Sequence, residues 1–336
     1  MSDSSLPTGV LDPSPLSHEV HVIHPLRRRY WLHLLLFAAT IFTMLVAGAR
    51  IEYNFEHGAP QFSSDDDLLP ITWTLEQPSR LLLGVPFSAA LLCILLAHEM
   101  GHFVYAQRNH VYATLPFFLP APTLIGTFGA FIRIRSPIPT RAVLMEIGIA
   151  GPIAGFACLL PVLFLSLLLS RPLGHGSGLP TGLPLLFSAA WKLIHPHSTV
   201  PLEQMNLHPI AFAAWVGLLA TSLNLLPGGQ LDGGHIVYAI APKMHGWATR
   251  LCSLVLLPMG FFLWGGWILW GLVLLLPVMR HPPVPEMPDL DPKRKLLGIA
   301  ALLMFVLSFV PVPFSEHTPW AAIQPWVKRH ILASHQ

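Results

Sequence analysis

Charged residues are scarce in this chain. It has 19 basic and 17 acidic residues among 336, or 11%, whereas soluble domains carry about 25%. Hydrophobic residues make up 53% of the sequence, which excludes an ordinary soluble globular protein. The net charge is +2 and the basic residues do not form the clustered face that nucleic-acid binding requires, so no nucleic-acid partner is expected.

Cysteine is also rare. Cys93, Cys158 and Cys252 are odd in number, lie in apolar stretches and have no CxxC spacing, which excludes a disulfide framework and a cysteine metal site. The layout of a cleavable secretion signal is absent too, because the first 25 residues are polar. Arginines at 27–29 lead directly into an apolar run, which we expect to be a retained membrane anchor.

Long apolar runs are abundant, and several reach the roughly 20 residues that a membrane-spanning helix needs. They cover residues 30–49, 147–170, 208–231, 251–279 and 296–315, and a further run, 81–97, is slightly short unless its helix continues through His98 and Glu99. The sequence therefore predicts an all-α polytopic membrane protein with about six to seven transmembrane helices. As one helix, residues 251–279 would measure about 44 Å against a hydrocarbon core of about 30 Å. One tilted crossing and two short helices, broken at Pro258 or at Gly265 and Gly266, both remain open.

Basic residues indicate the orientation of these spans. The arginines at 27–29 place the N-terminus in the cytosol, and the stretch between residues 104 and 142 contains four arginines and no acid. We therefore expect the end of the second span on the cytosolic side. The expected location of this multi-pass protein is the bacterial cytoplasmic membrane.

That end carries the sequence His98-Glu99-Met100-Gly101-His102. Helix positions four apart share a face, so His98 and His102 can bind one metal ion while Glu99 reaches an adjacent water. The simpler alternative is a polar helix end near the headgroups, in a chain with 18 histidines. Ionisable residues inside a hydrophobic span are costly and are functional by default, which favours metal binding.

Two histidines leave a catalytic zinc one protein ligand short. Asp232 lies in NLLPGGQLDGGH (224–235), at the end of the fourth apolar run. The second and fourth spans run in the same direction, so their ends emerge on the same membrane face. Glu146, another acid near a membrane boundary, is the competing third ligand.

These motifs, together with GTFGAFIRIRSP (126–137) and AGPIAGF (150–156), resemble the site-2 protease family of intramembrane zinc metalloproteases over residues 98–235. The resemblance implies His98, His102 and Asp232 as ligands of one Zn²⁺ per chain and Glu99 as the catalytic base. The chain has no room for the PDZ domain of many relatives, so it is similar to the PDZ-less branch of bacteria and plastids. It departs from the family pattern in one respect, because Pro227 stands three positions after Asn224.

Two further features are candidates for substrate contact. Residues 124–134 are rich in aromatic and β-branched types, and Gly126 and Gly129 occupy turn or bulge positions, which predicts a re-entrant β-hairpin-like loop near the active site. Its edge could offer N–H and C=O groups to an unwound substrate. Asn224 either positions substrate, as an oxyanion donor for example, or is a buried structural amide.

The resulting expectation is an intramembrane zinc metalloendopeptidase that cleaves a single-span membrane protein in or near its bilayer segment. Its layout would be a cytosolic tail (1–29), one transmembrane protease domain (30–315, core 81–235) and a C-terminal tail (316–336). The alternative is a membrane metal transporter or metal-binding protein, which would not need Glu99 as a base. A membrane protease that cuts soluble or lipidated peptides is a further alternative, and it would normally use glutamate as the third ligand.

Overall fold

The computed structural model of this protein describes residues 30–59, 70–172, 182–285 and 290–314. The two expected tails, 1–29 and 316–336, lie outside the described residues. The fold is mostly helical. In chain order its elements are α1 (Tyr30–Glu56), α2 (Ile71–Glu76), α3 (Val85–Arg108), β1 (Phe117–Pro120), β2 (Thr127–Phe131), α4 (Arg141–Leu169), β3 (Arg171–Pro172), α5 (Leu185–Ile194), β4 (Met205–Asn206), α6 (Pro209–Asn224), α7 (Asp232–Ile240), α8 (Pro242–Phe262), α9 (Gly266–Leu275) and α10 (Pro292–Ser308).

Three helical segments in the described part of the chain are long and apolar enough to cross a membrane. They are Tyr30–Glu56, Pro78–Arg108 and Arg141–Leu169. The second begins as a 3₁₀ turn (Pro78–Gly84) and continues as α3. This is fewer than the six to seven spans that the apolar runs predict, because the later runs are interrupted.

The fourth apolar run shows one interruption. Its helix, α6, ends at Asn224 instead of continuing to residue 231. Pro227 has no backbone N–H to donate within a helix, and Gly229 has a φ of 60°, a left-handed conformation that favours glycine and does not occur in an α-helix. Asp232 therefore begins a new helix, α7, and does not lie at the end of the fourth span as expected.

Residues 251–279 also form two helices. The chain leaves α8 after Phe262 and begins α9 at Gly266, whereas Pro258 stays inside α8. The two helices pack closely, with the Ser253 hydroxyl donating to the Gly271 carbonyl at 2.7 Å. The break therefore falls at the glycine pair and not at Pro258. At 10 residues, α9 is about 15 Å long, roughly half of a hydrocarbon core.

The centre of the fold is α3, which packs against α4 and α6. Ile94 and Leu159 are buried where these helices meet, and Gly217 of α6 faces both. A Cβ on Gly217 would lie 2.9 Å from Ile94 Cγ2 and 3.0 Å from Leu159 Cδ1. Small residues of this kind allow close helix approach in membranes, where association depends on packing.

The predicted hairpin-like loop is an antiparallel strand pair. Phe117 of β1 pairs with Phe131 of β2, and the register shifts between Phe118 and Pro120. The turn is attached to α1, because the Thr43 hydroxyl donates to the Gly126 carbonyl at 2.6 Å. This attachment places the hairpin between α1 and the end of α3 that carries the histidines.

Candidate metal centre

Helix α3 places His98, Glu99 and His102 in the interior of the fold. Each is only 5–7% exposed. The two imidazole rings are close to perpendicular, at 75°, with their Nε2 atoms 3.2 Å apart. The spacing of four positions within one helix produces this geometry, as the sequence predicts.

Asp232, the first residue of α7, completes a cluster of three. Its Oδ2 lies 3.2 Å from His98 Nε2 and 3.3 Å from His102 Nε2. The glycines that follow it allow α7 to begin this close to the preceding turn. A Cβ on Gly233 would fall 2.2 Å from the Leu225 carbonyl oxygen, and one on Gly234 would fall 2.4 Å from that of Gly229. Residues larger than glycine at 233 and 234 would therefore clash with this turn and displace Asp232.

The hydrogen bonds of the cluster leave lone pairs directed at its centre. His102 Nδ1 donates to the Ile147 carbonyl at 2.7 Å, which leaves Nε2 as an acceptor. Asp232 Oδ2 is buried and has no hydrogen-bond donor among the described residues. Zinc bonds of about 2.0–2.1 Å at tetrahedral angles hold ligand atoms about 3.3 Å apart, which is close to the separations seen here. Three converging acceptors of this kind fit a bound cation.

Glu99 lies beside the cluster and is not one of its three donors. Its carboxylate accepts a hydrogen bond from the Ile132 backbone N–H, directly after β2. The hairpin therefore ends at the predicted catalytic base. A buried carboxylate next to a metal can exchange a proton with a water held there.

Asn224, the last residue of α6, also reaches the cluster. Its Nδ2 donates to His98 Nε2 at 3.2 Å.

The two hairpin glycines, Gly126 and Gly129, differ in their surroundings. Gly126 contacts α1, where a Cβ would fall 2.5 Å from Met44 Cα, and a Cβ on Gly129 would meet nothing within 4 Å.

Glu146, the competing candidate for the third metal ligand, is hydrogen-bonded to Arg294 and Asn109 instead. Its Oε1 accepts hydrogen bonds from Arg294 Nη2 at 2.5 Å and from Nε at 3.1 Å, and its Oε2 accepts one from Asn109 at 3.2 Å. These contacts join α4 to α10 and to the end of α3. Among the described residues, the group of metal-binding type consists of His98, His102 and Asp232.

A histidine pair next to the centre was missed by the sequence reasoning. His235 Nδ1 lies 2.9 Å from His281 Nε2, and His281 Nδ1 donates to the Pro282 carbonyl at 2.7 Å. The ring of Tyr238 stacks on His281 at 3.9 Å. His235 was visible as the last letter of the LDGGH motif, three positions after Asp232, but its partner is 46 residues away in the chain.

Comparison with known proteins agrees with this geometry. The model of a family described as "Peptidase family M50" matches residues 86–264, which include the three clustered residues and Glu99. This chain belongs to peptidase family M50. Membership confirms the resemblance to site-2 proteases and identifies Zn²⁺ as the cofactor, an ion that the His, His, Asp donor set suits.

Several M50 relatives are plant proteins. The chain is 32% identical over 241 residues to "Probable zinc metalloprotease EGY1, chloroplastic" of Arabidopsis thaliana, covering 68% of this chain and 43% of that protein. It is 30% identical over 239 residues to "Probable zinc metalloprotease EGY2, chloroplastic" of the same plant, covering 69% and 42%. The chain thus spans less than half the length of these curated relatives. No solved structure matches it significantly.

These names correct one expectation. The relatives are called chloroplastic, which points to a plastid membrane, so the expectation of a bacterial cytoplasmic membrane is wrong. The error has a physical origin, because flanking arginines report which side of a membrane a loop occupies and not which membrane it is.

Proposed function

We propose that this M50 protein is an intramembrane zinc metalloendopeptidase that hydrolyses a peptide bond in or near a transmembrane segment of another membrane protein. The observation that carries the proposal is the meeting of His98, His102 and Asp232 at 3.2–3.3 Å, with Glu99 buried beside them. A plastid membrane is the location that the plant relatives support. We place the protease domain at residues 30–315 and its core at 81–235.

In this proposal His98, His102 and Asp232 hold the zinc ion. Bound zinc supplies Lewis-acid polarisation of the scissile carbonyl and lowers the pKa of a water. Ile147 keeps His102 in the tautomer that binds metal, because its carbonyl accepts the Nδ1 proton. Glu99 accepts the proton of the attacking water and delivers it to the leaving amine.

Two further groups act on the substrate. The Asn224 amide donates to His98 Nε2 in the described structure, and once that atom binds metal the amide is free to donate to the substrate carbonyl oxygen. The β1–β2 hairpin ends at Glu99 through Ile132, and we propose that it lies at membrane depth and pairs with an unwound stretch of a single-span substrate. A substrate helix must open in this way because its peptide groups are otherwise hydrogen-bonded.

The alternative of a metal transporter depends on the same ligands but gives Glu99 no task. A transporter also needs a path for the ion on both sides of the membrane, and we find no internal sequence repeat of the type that many transporters contain. The burial of Glu99 beside the cluster and its hydrogen bond from Ile132, directly after β2, favour hydrolysis.

The test compares purified wild type with Glu99→Gln, using Glu76→Gln on the exposed helix α2 as the matched control. Each protein is assayed for bound zinc and for cleavage of single-span substrates that carry helix-weakening residues. We expect about one zinc per chain in all three, and a loss of about 10²- to 10⁴-fold in cleavage for Glu99→Gln alone. Zinc without cleavage by any of the three, combined with zinc uptake into vesicles by Glu99→Gln, would support the transporter instead.

A further inference from the structure

A groove on the outer side of α3 lies apart from the metal centre. It runs between α3, α4 and the first turns of α10 and encloses about 490 Å³, within the range of about 300–1,000 Å³ for small-molecule sites. Its walls are apolar along most of its length and include Met100, Val104, Ile153 and Leu297. Tyr105 and Glu146 provide polar groups among its lining residues.

The floor of this groove is closed towards the metal centre. A Cβ on Gly101 would fall 2.4 Å from the Ala150 carbonyl oxygen, so the backbones of α3 and α4 touch there. His98 and His102 project from a different face of α3 than Ala97, Gly101 and Val104 do. A molecule in the groove therefore cannot reach the zinc ligands, and the groove does not hold the bond to be cleaved.

Basic residues flank one end of the groove on both sides. Arg108 is the last residue of α3 and lies one turn beyond Val104 on the same helix face. Lys293 lies one turn before Leu297 on the corresponding face of α10. Both side chains are exposed. An apolar channel that opens between two cations at helix ends matches a lipid in both shape and charge.

Among the described residues, the acidic groups at this end are partly neutralised by Arg294. Glu146 accepts two hydrogen bonds from Arg294 and one from Asn109. Asp291 accepts from Arg294 Nη1 at 2.8 Å. Arg294 thus offsets one of the two carboxylate charges, and Arg108 and Lys293 give the named groups at this end a net positive charge that attracts an anion.

We propose that this groove binds one anionic phospholipid, with an acyl chain between α3, α4 and α10 and its phosphate between Arg108 and Lys293. Basic residues at a membrane surface attract anionic headgroups, and an apolar channel selects a chain over a polar ligand. The bound acyl chain would fill the gap between α10 and the α3–α4 pair. It would thus stabilise the packing of α10, which the Arg294–Glu146 ion pair already joins to α4. The contact between Gly101 and Ala150 keeps this lipid separate from the substrate.

The test exchanges the purified protein into mixed micelles of phosphatidylglycerol and phosphatidylcholine with identical chains, and counts retained lipids by native mass spectrometry. Each basic residue near a membrane surface contributes roughly a fivefold preference, so we expect wild type to favour phosphatidylglycerol by about thirtyfold. Arg108→Gln combined with Lys293→Gln should bring this ratio close to one. Lys293→Gln alone should lower the ratio about fivefold. Its matched control is Lys295→Gln, which removes the same single charge from a different face of α10 and should leave the ratio unchanged.

A second measurement tests the proposal even if the double variant folds poorly. Phosphatidylglycerol with a photoreactive group near the end of its chain should label peptides containing residues 97–105 and 149–154 in wild type, and Val104→Trp should suppress this labelling by filling the groove. Equal retention of the two lipids by wild type, an unchanged preference in the double variant, an equal loss in Lys295→Gln, or labelling spread evenly over α1 and α8 would each overturn the proposal.

Discussion

Gly151 of α4 lies directly against the imidazole of His102. A Cβ atom built on Gly151 would fall 2.1 Å from His102 Nε2 and 2.4 Å from Cδ2. One turn along the same helix, a Cβ on Gly155 would fall 3.1 Å from that of His98. The glycines of the AGPIAGF sequence thus leave the space that the two histidines occupy.

We expect Gly151→Ala to reduce zinc binding severely, because the new methyl group would displace the ring that His102 uses for the metal. Bound zinc per purified chain is the measurement. Gly246→Ala is the matched control, since this helical glycine has nothing within 4 Å of an added Cβ. It should keep zinc and gain about 0.5–1 kcal/mol of helix stability. Full zinc content in Gly151→Ala would show that His102 can shift without losing the metal.

Most of this site was predictable from the sequence, because its parts follow local rules. The spacing of His98 and His102 places both on one helix face, and the resemblance located Asp232 in its motif. The hairpin was also visible, in a run of aromatic and β-branched residues with glycines at turn positions. Each of these signals lies within about a dozen residues. Local periodicity determines the histidine pair and the strands, whereas Asp232 was identified from its motif.

What could not be predicted depends on contacts between distant segments. The hydrophobicity of residues 208–231 concealed the end of α6 at Asn224, since an apolar turn in a membrane protein has the composition of a helix. The contact between His235 and His281 requires the fold of α8 and α9 to return the chain to α7. The ion pair of Glu146 with Arg294 links residues 148 positions apart and explains why a plausible ligand is absent from the cluster.

Asp232→Ala should release zinc, whereas Glu146→Ala should retain it. Asp232 Oδ2 lies within 3.3 Å of both histidine Nε2 atoms, and removing one ligand from a three-ligand site greatly weakens it. Glu146 contacts Arg294 and Asn109, so its loss affects the attachment of α10. Zinc analysis after dialysis against a weak chelator distinguishes the two. Loss of zinc from Glu146→Ala alone would restore the glutamate-ligand alternative.

Asn224→Ala should retain zinc and cleave slowly. The amide contacts His98 Nε2 but is not one of the three clustered donors. An oxyanion donor contributes about 10²- to 10³-fold to turnover, so we expect a loss of this size in kcat with a smaller change in KM. A purely structural amide would instead lower the melting temperature and leave the turnover of the folded fraction unchanged.

Gly126→Ala should damage the enzyme more than Gly129→Ala. Both glycines have positive φ, at 73° and 97°, so each alanine incurs backbone strain of about 1–2 kcal/mol. Only at Gly126 does the added methyl group also meet the α1 backbone, at 2.5 Å from Met44 Cα. We expect Gly126→Ala to separate the hairpin from α1, with loss of cleavage and a lower melting temperature. Equal losses of cleavage and stability in both variants would mean that backbone strain alone causes the damage.

Acidification should loosen the segment around His281, which connects α9 to α10. Burial lowers the pKa of His281 below its ordinary value of 6.5. The folded protein therefore keeps this ring neutral where the unfolded chain takes up a proton. The resulting penalty is absent above pH 6.5 and grows as the pH falls below it. Protonation would also place two donors face to face between His281 Nε2 and His235 Nδ1, with His245 and Tyr238 packed against the same ring.

The comparison for this prediction is wild type against His281→Asn, whose side chain does not titrate. We expect the melting temperature of wild type to fall more than that of the variant between pH 7.5 and pH 5.5, with faster exchange of the Arg280 and Val284 amides in wild type at the lower pH. Loss of zinc at acid pH affects both proteins equally, so the difference between them isolates His281. The same decrease in both would assign the acid sensitivity to the metal centre.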